Sequence, residues 1–215
     1  MPSRGLRLEL KRQAMSGAVK PQIGRRFPRT RRLLLPLSTP RLGIREFVAA
    51  DLEPLCEVLG DPRVTRYMLH SPRNRGEVEG YLEQVLGFQR ERPRSAWELA
   101  VVEGQAGALI GACTLTFLAP AEADLGYLLA RRVWRQGLAS EIAAALVDAG
   151  FQDLGLNRIS STVDVRNLAS IRVLEKTGLR WEATLRRLRK VRGEWRDCHL
   201  FAISRTEWEA ARAGA

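Results

Sequence analysis

The chain has 215 residues, enough for one domain with its own hydrophobic core, and a formal net charge of +11. Residues 1–32 hold ten of the 35 Lys and Arg side chains and one of the 24 acids, so the remainder is nearly neutral and a nucleic-acid-binding fold is not indicated. Three dispersed cysteines and two histidines predict neither a disulfide framework nor a histidine-rich metal centre, and we expect no metal site.

The N-terminal segment, residues 1–32, combines Arg, Pro and Gly without hydrophobic periodicity, which predicts a largely disordered basic tail. It lacks the apolar stretch of a secretory signal, and the chain has no run of 18 apolar residues, so we expect no membrane insertion. These features favour the reducing cytoplasm. For the tail, contact with RNA or the ribosome and a plain solvated charge are both open.

From residue 33 onward the hydrophobic pattern alternates between strand and helix periods. A first strand, interrupted at Thr39-Pro40, precedes two helices, and Gly-rich residues 104–107 then join two further strands as a hairpin. The predicted elements of this half are strand segments 33–37 and 42–47, helices 52–59 and 75–90, and strands 96–103 and 108–118. Asp51 is the predicted N-cap of the first helix.

The second half repeats the alternation, with strand 124–129 followed by a helix from about Ala139 to Leu154. The remaining predicted elements are strand 157–165, a helix capped by Asn167 and closed by Gly178, strands 179–188 and 195–203, and a helical segment 205–212. This order predicts an α/β (α+β) fold, with a mixed, mostly antiparallel sheet of about seven strands flanked by four helices. Residues 33–215 are predicted to form a single domain.

The turn between strand 124–129 and the following helix has the features of an anion site. Gly137 and Ala139 allow a ligand to approach the backbone, and the helix N-terminus presents free N–H groups with positive potential. Such a turn can hold a pyrophosphate, and Arg132 and Arg135 add mobile cations beside it. An ordinary strand-to-helix turn with a solvated basic flank explains the same pattern.

Two motifs in this half resemble the GNAT superfamily of N-acetyltransferases, and within it the branch of ribosomal-protein N-terminal alanine acetyltransferases. The first, Q/R-x-x-G-x-G/A, is filled by Trp134, Gly137 and Ala139, with Trp departing from the general pattern. The second, Asn-x-x-Ser-x-x-x-x-Glu-x-x-Gly, matches residues 167–178. The resemblance covers residues 33–208 and implies the acyl-CoA N-acyltransferase fold.

The resemblance implies acetyl-CoA as cosubstrate, bound between splayed strands before and after the first motif. It implies contacts from strand residues Leu125, Tyr127, Leu128 and Leu129, from turn residues Arg132, Trp134, Arg135, Gln136, Gly137, Leu138, Ala139 and Ser140, and from Asn167 and Ser170. The backbone of Gln136 to Ser140 would hold the pyrophosphate, in agreement with the anion-site argument.

Members of this superfamily transfer the acetyl group by direct attack of the amine. For the base, Asp124 is the first candidate and Glu98 the second, and an exposed Asp needs burial or a relaying water to be effective. Many members carry a catalytic Tyr where this chain has Leu174, so Ser170 is the candidate that assists the thiolate. The strand N–H of Leu128 or its neighbour is expected to polarise the carbonyl.

The acceptor is an amine, for which the resemblance favours a protein N-terminus. A polyamine or antibiotic amine, and a non-catalytic acyl-CoA-binding module, are the alternatives. A monomer and a homodimer are equally compatible with the sequence.

Overall fold

The computed structural model describes residues 32–214, which form one eight-stranded sheet, mostly antiparallel. The strands are β1 (Leu37–Ser38), β2 (Leu42–Glu46), β3 (Ala96–Glu103), β4 (Leu109–Ala119), β5 (Glu122–Leu129), β6 (Arg158–Asp164), β7 (Arg180–Val191) and β8 (Glu194–Ser204). Their order in the sheet is β1-β2-β3-β4-β5-β6-β8-β7. The predicted basic tail falls on residues 1–31, outside the described residues, and on Arg32.

Five α-helices occur within residues 32–214: α1 (Leu52–Gly60), α2 (Arg75–Phe88), α3 (Leu138–Gln152), α4 (Leu168–Lys176) and α5 (Arg205–Ala213). Their starts follow local sequence. Asn74 and Ser204 form capping boxes with Glu77 and Glu207, and the Asn167 side chain accepts a hydrogen bond from the Ser170 N–H. These caps satisfy N–H groups that a helix start otherwise leaves unpaired.

The two faces of the sheet carry separate cores. On one face, α3 packs Ile142 and Leu146 against the strands, together with Leu174 of α4. On the other face, α1 and α2 pack on β3 and β4, with Leu55 and Val78 fully buried. Alternate residues of each strand therefore point to different layers.

The fork between β5 and β6 is the feature that positions the site. These strands are the only parallel pair among the described residues, and α3 is the helix that connects them. Their pairing covers only Glu122–Asp124 against Arg158–Ser160, after which the strands separate. The rest of β5 therefore keeps its partner β4 on one side and has an open edge on the other.

The predicted fold class is confirmed, with two differences in number. The first strand is two strands, because the chain turns between them where the Thr39 N–H and hydroxyl donate to the Leu42 carbonyl. The C-terminal helical segment is a full helix, which brings the number to five. Asp51 precedes α1 as predicted, but its carboxylate accepts hydrogen bonds from the Val48 N–H and pairs with Arg45 instead of capping the helix.

Candidate active site

The open edge of β5 leaves backbone groups of Tyr127 facing the fork. The Ala130 N–H donates to Ile110 of β4 at 2.7 Å, and backbone direction alternates along a strand, so even-numbered residues of β5 face β4 and odd-numbered residues face the fork. Two fork-facing carbonyls have partners: Leu125 accepts from the Ser161 hydroxyl, and Leu129 accepts from the Trp134 indole, both at 2.8 Å. Tyr127 lies between them.

This alternation revises one detail of the sequence-based expectation. Leu128 is paired with Ala112 of β4, so its N–H points away from the fork. Its neighbours, Tyr127 and Leu129, are the residues whose N–H groups face the open edge. A strand N–H that polarises a carbonyl in the fork therefore belongs to one of these two residues.

The turn before α3 has the geometry of an anion-binding helix start. Arg135 and Gly137 adopt left-handed backbone conformations, with φ of 63° and 78°. The Gly137 carbonyl accepts from the N–H groups of Ser140 and Glu141 at 3.1 and 3.2 Å. The preceding N–H groups, those of Leu138 and Ala139, have no carbonyl one turn earlier to bind, and the helix dipole adds positive potential there.

Arg41, from the loop between β1 and β2, hydrogen-bonds to residues on both sides of Gly137 in this turn. Its guanidinium donates to Glu141 Oε2 at 2.7 Å and to the Gln136 carbonyl at 2.8 Å. The Thr39 hydroxyl and the Arg41 N–H both donate to Glu141 Oε1. Burial opposes ionisation of Glu141, but these hydrogen bonds outweigh it and lower its pKa. The only acid in the first turn of α3 is thus neutralised by Arg41.

The other side chains predicted at this turn lie as follows. Arg132 forms an ion pair with Glu103 of β3 at 2.8 Å, whereas Arg135 is exposed. Trp134 is 42% exposed, and its indole N–H donates to the carbonyl of Leu129, the last residue of β5. The Trp residue in the first motif position therefore anchors the turn to the strand that precedes it.

Asp124 lies on the last residue pair before the strands separate, opposite Ser160. Its Oδ1 is buried and has no hydrogen-bond partner among the described residues. Burial raises the pKa of Asp124 to about 7, with the charge of Arg189 opposing part of the rise. The burial that a base at this position requires is therefore present, and a pKa near neutrality suits proton transfer at physiological pH.

Glu98, the second candidate base, lies on β3 and accepts a hydrogen bond from the Tyr81 hydroxyl at 2.7 Å. Burial raises its pKa, while the Tyr81 hydrogen bond and the charge of Arg73 oppose the rise. Arg73 in turn stacks on the Tyr81 ring, with its guanidinium carbon 4.6 Å from the ring centre. Because β4 separates β3 from β5, Glu98 is two strands, or about 10 Å, from Asp124.

Ser170 forms a hydroxyl pair with Tyr127, whose phenol oxygen is 2.8 Å from Ser170 Oγ. Burial raises the pKa of Tyr127 to about 12, so the phenol remains protonated at neutral pH. Leu174, where many relatives of the motif carry Tyr, is fully buried in the core. Sequence reasoning named Tyr127 only as a strand residue and missed its phenol, because nothing local links residues 43 positions apart.

The fork separates these groups into two sides. The Tyr127 side chain lies in the layer of α3 and α4, with the other odd-numbered residues of β5. Asp124 is even-numbered, so its side chain points toward the layer of α1 and α2. Asn167 caps α4 through its Oδ1, which leaves its amide NH₂ available. A proton acceptor thus lies on one side of an open strand edge and a pair of hydroxyl donors on the other.

A parallel strand pair that opens beside a glycine turn and a helix start is the arrangement that the resemblance to the N-acetyltransferases implies for a coenzyme A thioester site. The profile of the family described as an acetyltransferase (GNAT) domain matches residues 41–180. The chain belongs to this family and is an acetyl-CoA-dependent N-acetyltransferase, which confirms the predicted enzyme class.

The curated relatives agree with this assignment, and the solved structures share the fold. The chain is 30% identical over 175 residues to the N-acetyltransferase p20 of Bacillus licheniformis, itself uncharacterised, covering 80% of this chain and 97% of p20. RimJ of Mycobacterium smegmatis, solved with CoA-disulfide, has a TM-score of 0.70 at 23% identity over 84% of this chain and 96% of its own. Spermidine N-acetyltransferase of Vibrio cholerae, solved with CoA and spermine, has a TM-score of 0.68 at 19% identity, covering 80% and 99%.

No helix within residues 32–214 is both long enough and apolar enough to cross a bilayer. In the same part of the chain, no three His, Cys, Asp or Glu side chains are grouped so that they could hold a metal ion. Cys56, Cys113 and Cys198 are free thiols.

Proposed function

We propose that the acceptor is the α-amino group of a protein N-terminus, with Asp124 as the base that removes its proton. The observation that carries the proposal is the buried, unpartnered Oδ1 of Asp124, whose pKa is raised to about 7. An α-amino group has a pKa of about 7.7–8.0, against roughly 10.4 for an alkyl amine such as lysine. A base near 7 is therefore closely matched to an α-amino group.

The donor side of the proposal rests on the backbone of the fork. The N–H groups at Gln136–Ser140 would hold the pyrophosphate, as their position at the start of α3 favours. The open edge of Leu125–Leu129 would pair with the pantetheine arm, and the free amide of Asn167 would bind the same arm. CoA in the structures of the Mycobacterium smegmatis and Vibrio cholerae neighbours supports this choice of donor.

The residues then divide the chemistry of a direct transfer. Asp124 accepts the proton of the amine, which becomes nucleophilic, and the fork-facing N–H of Tyr127 or Leu129 donates to the carbonyl oxygen as its negative charge develops. The amine nitrogen forms the new bond to the carbonyl carbon, the bond from that carbon to sulfur breaks, and the thiolate leaves. Ser170 donates a proton to the departing sulfur and takes one from the Tyr127 phenol, 2.8 Å away. The phenolate then takes a proton from solvent, and Asp124 releases the proton of the amine to solvent.

The neighbours support two acceptor classes. RimJ of Mycobacterium smegmatis and a ribosomal-protein-serine acetyltransferase structure from Vibrio cholerae favour the branch that the motifs resemble, whereas the spermidine N-acetyltransferase favours a polyamine. We place this chain in the first class because of the match between Asp124 and an α-amino group. Residues 33–215 are proposed to form the acetyltransferase domain, with residues 1–32 as a basic appendage that is not required for transfer.

The test is a thiol-release assay on the full chain with acetyl-CoA. Acceptors are N-terminal peptides beginning with Ala or Ser, the same peptides with a blocked α-amine and a free lysine, and spermidine. We expect turnover only when the α-amine is free, with kcat/KM rising as the pH increases through about 7. Turnover of spermidine or of the blocked peptides in preference to free N-termini would overturn the proposal.

A further inference from the structure

The face of the sheet that carries Asp124 also carries two partly buried arginines, each with one buried and unused Nε donor. Arg189 of β7 and Arg196 of β8 lie directly opposite each other, and the Nε atom of each is buried without a partner among the described residues. Arg189 donates to the Thr162 hydroxyl, and its positive charge acts on the Asp124 carboxyl, where it opposes the rise in pKa that burial causes. Buried donors are normally satisfied, so unused ones beside an unpartnered carboxylate indicate polar groups of a ligand.

Three separate segments meet above this face, and together we call them the arginine rim: residues 61–74, 164–166 and 186–197. The Arg192 guanidinium donates to the Thr65 carbonyl at 3.4 Å, and the Tyr67 hydroxyl donates to the Arg166 carbonyl at 3.2 Å. The contacts link the loop between α1 and α2 to the β7–β8 turn and to the loop after β6. They gather basic residues that are more than 90 positions apart in sequence.

The rim differs in charge from the rest of the fold. It contains ten cationic and four acidic residues, whereas the remainder of residues 32–214 contains 16 cationic and 19 acidic residues. The cationic residues of the rim are Arg63, Arg66, Arg73, Arg166, Arg186, Arg187, Arg189, Lys190, Arg192 and Arg196. Positive charge is therefore concentrated in these segments and is not a general property of the described chain.

The acids of the rim are already engaged. Asp164 pairs with Arg166 at 2.8 Å and Glu194 pairs with Arg196 at 2.6 Å. The Asp197 carboxylate accepts a hydrogen bond from the Arg187 backbone N–H. Asp61 Oδ2 lies 3.8 Å from Nε of Arg131, which is outside the rim. Most of the positive charge is thus not balanced within the protein, and a fixed field of this sign attracts anions and repels polycations.

We infer that the acceptor bears acidic side chains shortly after its reactive amine, and that the arginine rim recognises them. This inference rests on the proposed function, since it specifies the N-terminal peptide that Asp124 acts on. An extended peptide advances about 3.3 Å per residue, so residues 3 to 6 of the acceptor would lie about 7–17 Å from its reactive amine at Asp124 and along the rim. Guanidinium groups suit such partners because they bind carboxylates in a bidentate manner.

The experiment compares three synthetic peptides that share their first two residues and carry Glu, Gln or Lys at positions 3 to 6. We expect kcat/KM to be about tenfold or more higher for the Glu peptide than for the Lys peptide at low salt. The difference should shrink as the salt is raised from about 50 mM to about 300 mM, because exposed charges are screened. The Arg66→Gln/Arg192→Gln double variant, at two exposed positions of the rim, should lose most of the preference, measured as the ratio of kcat/KM for the Glu peptide to kcat/KM for the Lys peptide.

Arg90→Gln is the matched control, since Arg90 is exposed beyond the far end of α2 and should leave the preference intact. Equal turnover of the three peptides would overturn the inference but leave the proposed function standing. Turnover of spermidine and of none of the peptides would overturn both. A single-stranded oligonucleotide that binds the wild type but not the double variant, without any peptide preference, would reassign the rim to nucleic acid.

Discussion

The two sides of the fork are built in different ways. The side proposed for the donor is formed by contiguous segments, the turn at 134–141 and the cap of α4 at Asn167, and its polar groups are mainly backbone N–H and C=O. The side proposed for the acceptor is formed by side chains from separate strands and loops, among them Glu98, Asp124 and Arg189. A site made of local backbone is visible in the sequence, whereas a site made of distant side chains requires the fold.

The outcome of the sequence analysis follows this division. The turn at Gly137, the Asn167 cap and the strand-to-helix order were all predicted, because each depends on residues within a few positions. The left-handed backbone of Gly137 is an observation of the structure. The pairing of Arg41 with Glu141 joins residues 100 positions apart, and no pattern reports it. The burial of Asp124 was equally inaccessible, since it depends on strands and a hairpin that assemble around it.

Gly137→Glu should produce the largest effect and should act on the donor side alone. The left-handed backbone at φ 78° disfavours a side chain, and a carboxylate would oppose an anion at the helix start. We expect the affinity for acetyl-CoA to fall at least about 100-fold by isothermal titration calorimetry, which corresponds to roughly 3 kcal/mol. Gly104→Glu, at another left-handed turn with open space, is the control for strain. Normal affinity in Gly137→Glu would refute the assigned anion site.

Asp124→Asn should have the largest effect on the rate of transfer, as Gly137→Glu should have on affinity, and it should act on the acceptor side. Loss of a general base lowers kcat by about 10²–10⁴-fold, with little change in acetyl-CoA affinity. The wild-type kcat/KM should rise through about pH 7, and the variant should lack this rise. If kcat/KM of the variant still rises through about pH 7, the base is Glu98 or a water relay and not Asp124.

The same variant has a stability signature. Because the folded state raises the pKa of Asp124 from 3.8 to about 7, folding favours the protonated form, and wild-type stability falls relative to Asp124→Asn as pH rises between these values. Chemical denaturation at pH 4 and pH 8 measures the difference. A wild type that gains stability relative to the variant at pH 8 would show that the carboxylate is not buried as described.

Ser170→Ala and Tyr127→Phe should have moderate effects and test the donor side chemically. Each removes one member of the hydroxyl pair, and we expect kcat to fall about tenfold in each variant. If the two hydroxyls act in series, the double variant should be scarcely worse than either single one. If the losses in the rate of transfer multiply in the double variant, as measured by rapid quench, the two hydroxyls act independently and no proton relay connects them.

Arg41→Gln should have the smallest effect and shows how the turn is held. Loss of the guanidinium leaves Glu141 unpaired at the start of α3, so the KM for acetyl-CoA should rise several-fold, about 1 kcal/mol or less. Adding Glu141→Gln should restore most of the affinity, because the charge that Arg41 neutralises is then absent. A double variant as weak as Arg41→Gln alone would mean that Arg41 contacts the donor itself.

Two hydrogen bonds limit the open edge of β5. At one end the Ser161 hydroxyl of β6 donates to the Leu125 carbonyl, and at the other end the Trp134 indole donates to the Leu129 carbonyl. The five residues from Leu125 to Leu129 span about 13 Å at the rise of a β-strand. If the pantetheine arm pairs along this edge as proposed, the strand fixes how far the reacting carbon lies from the helix start, and a donor with a shorter or longer arm would present that carbon out of reach of Asp124.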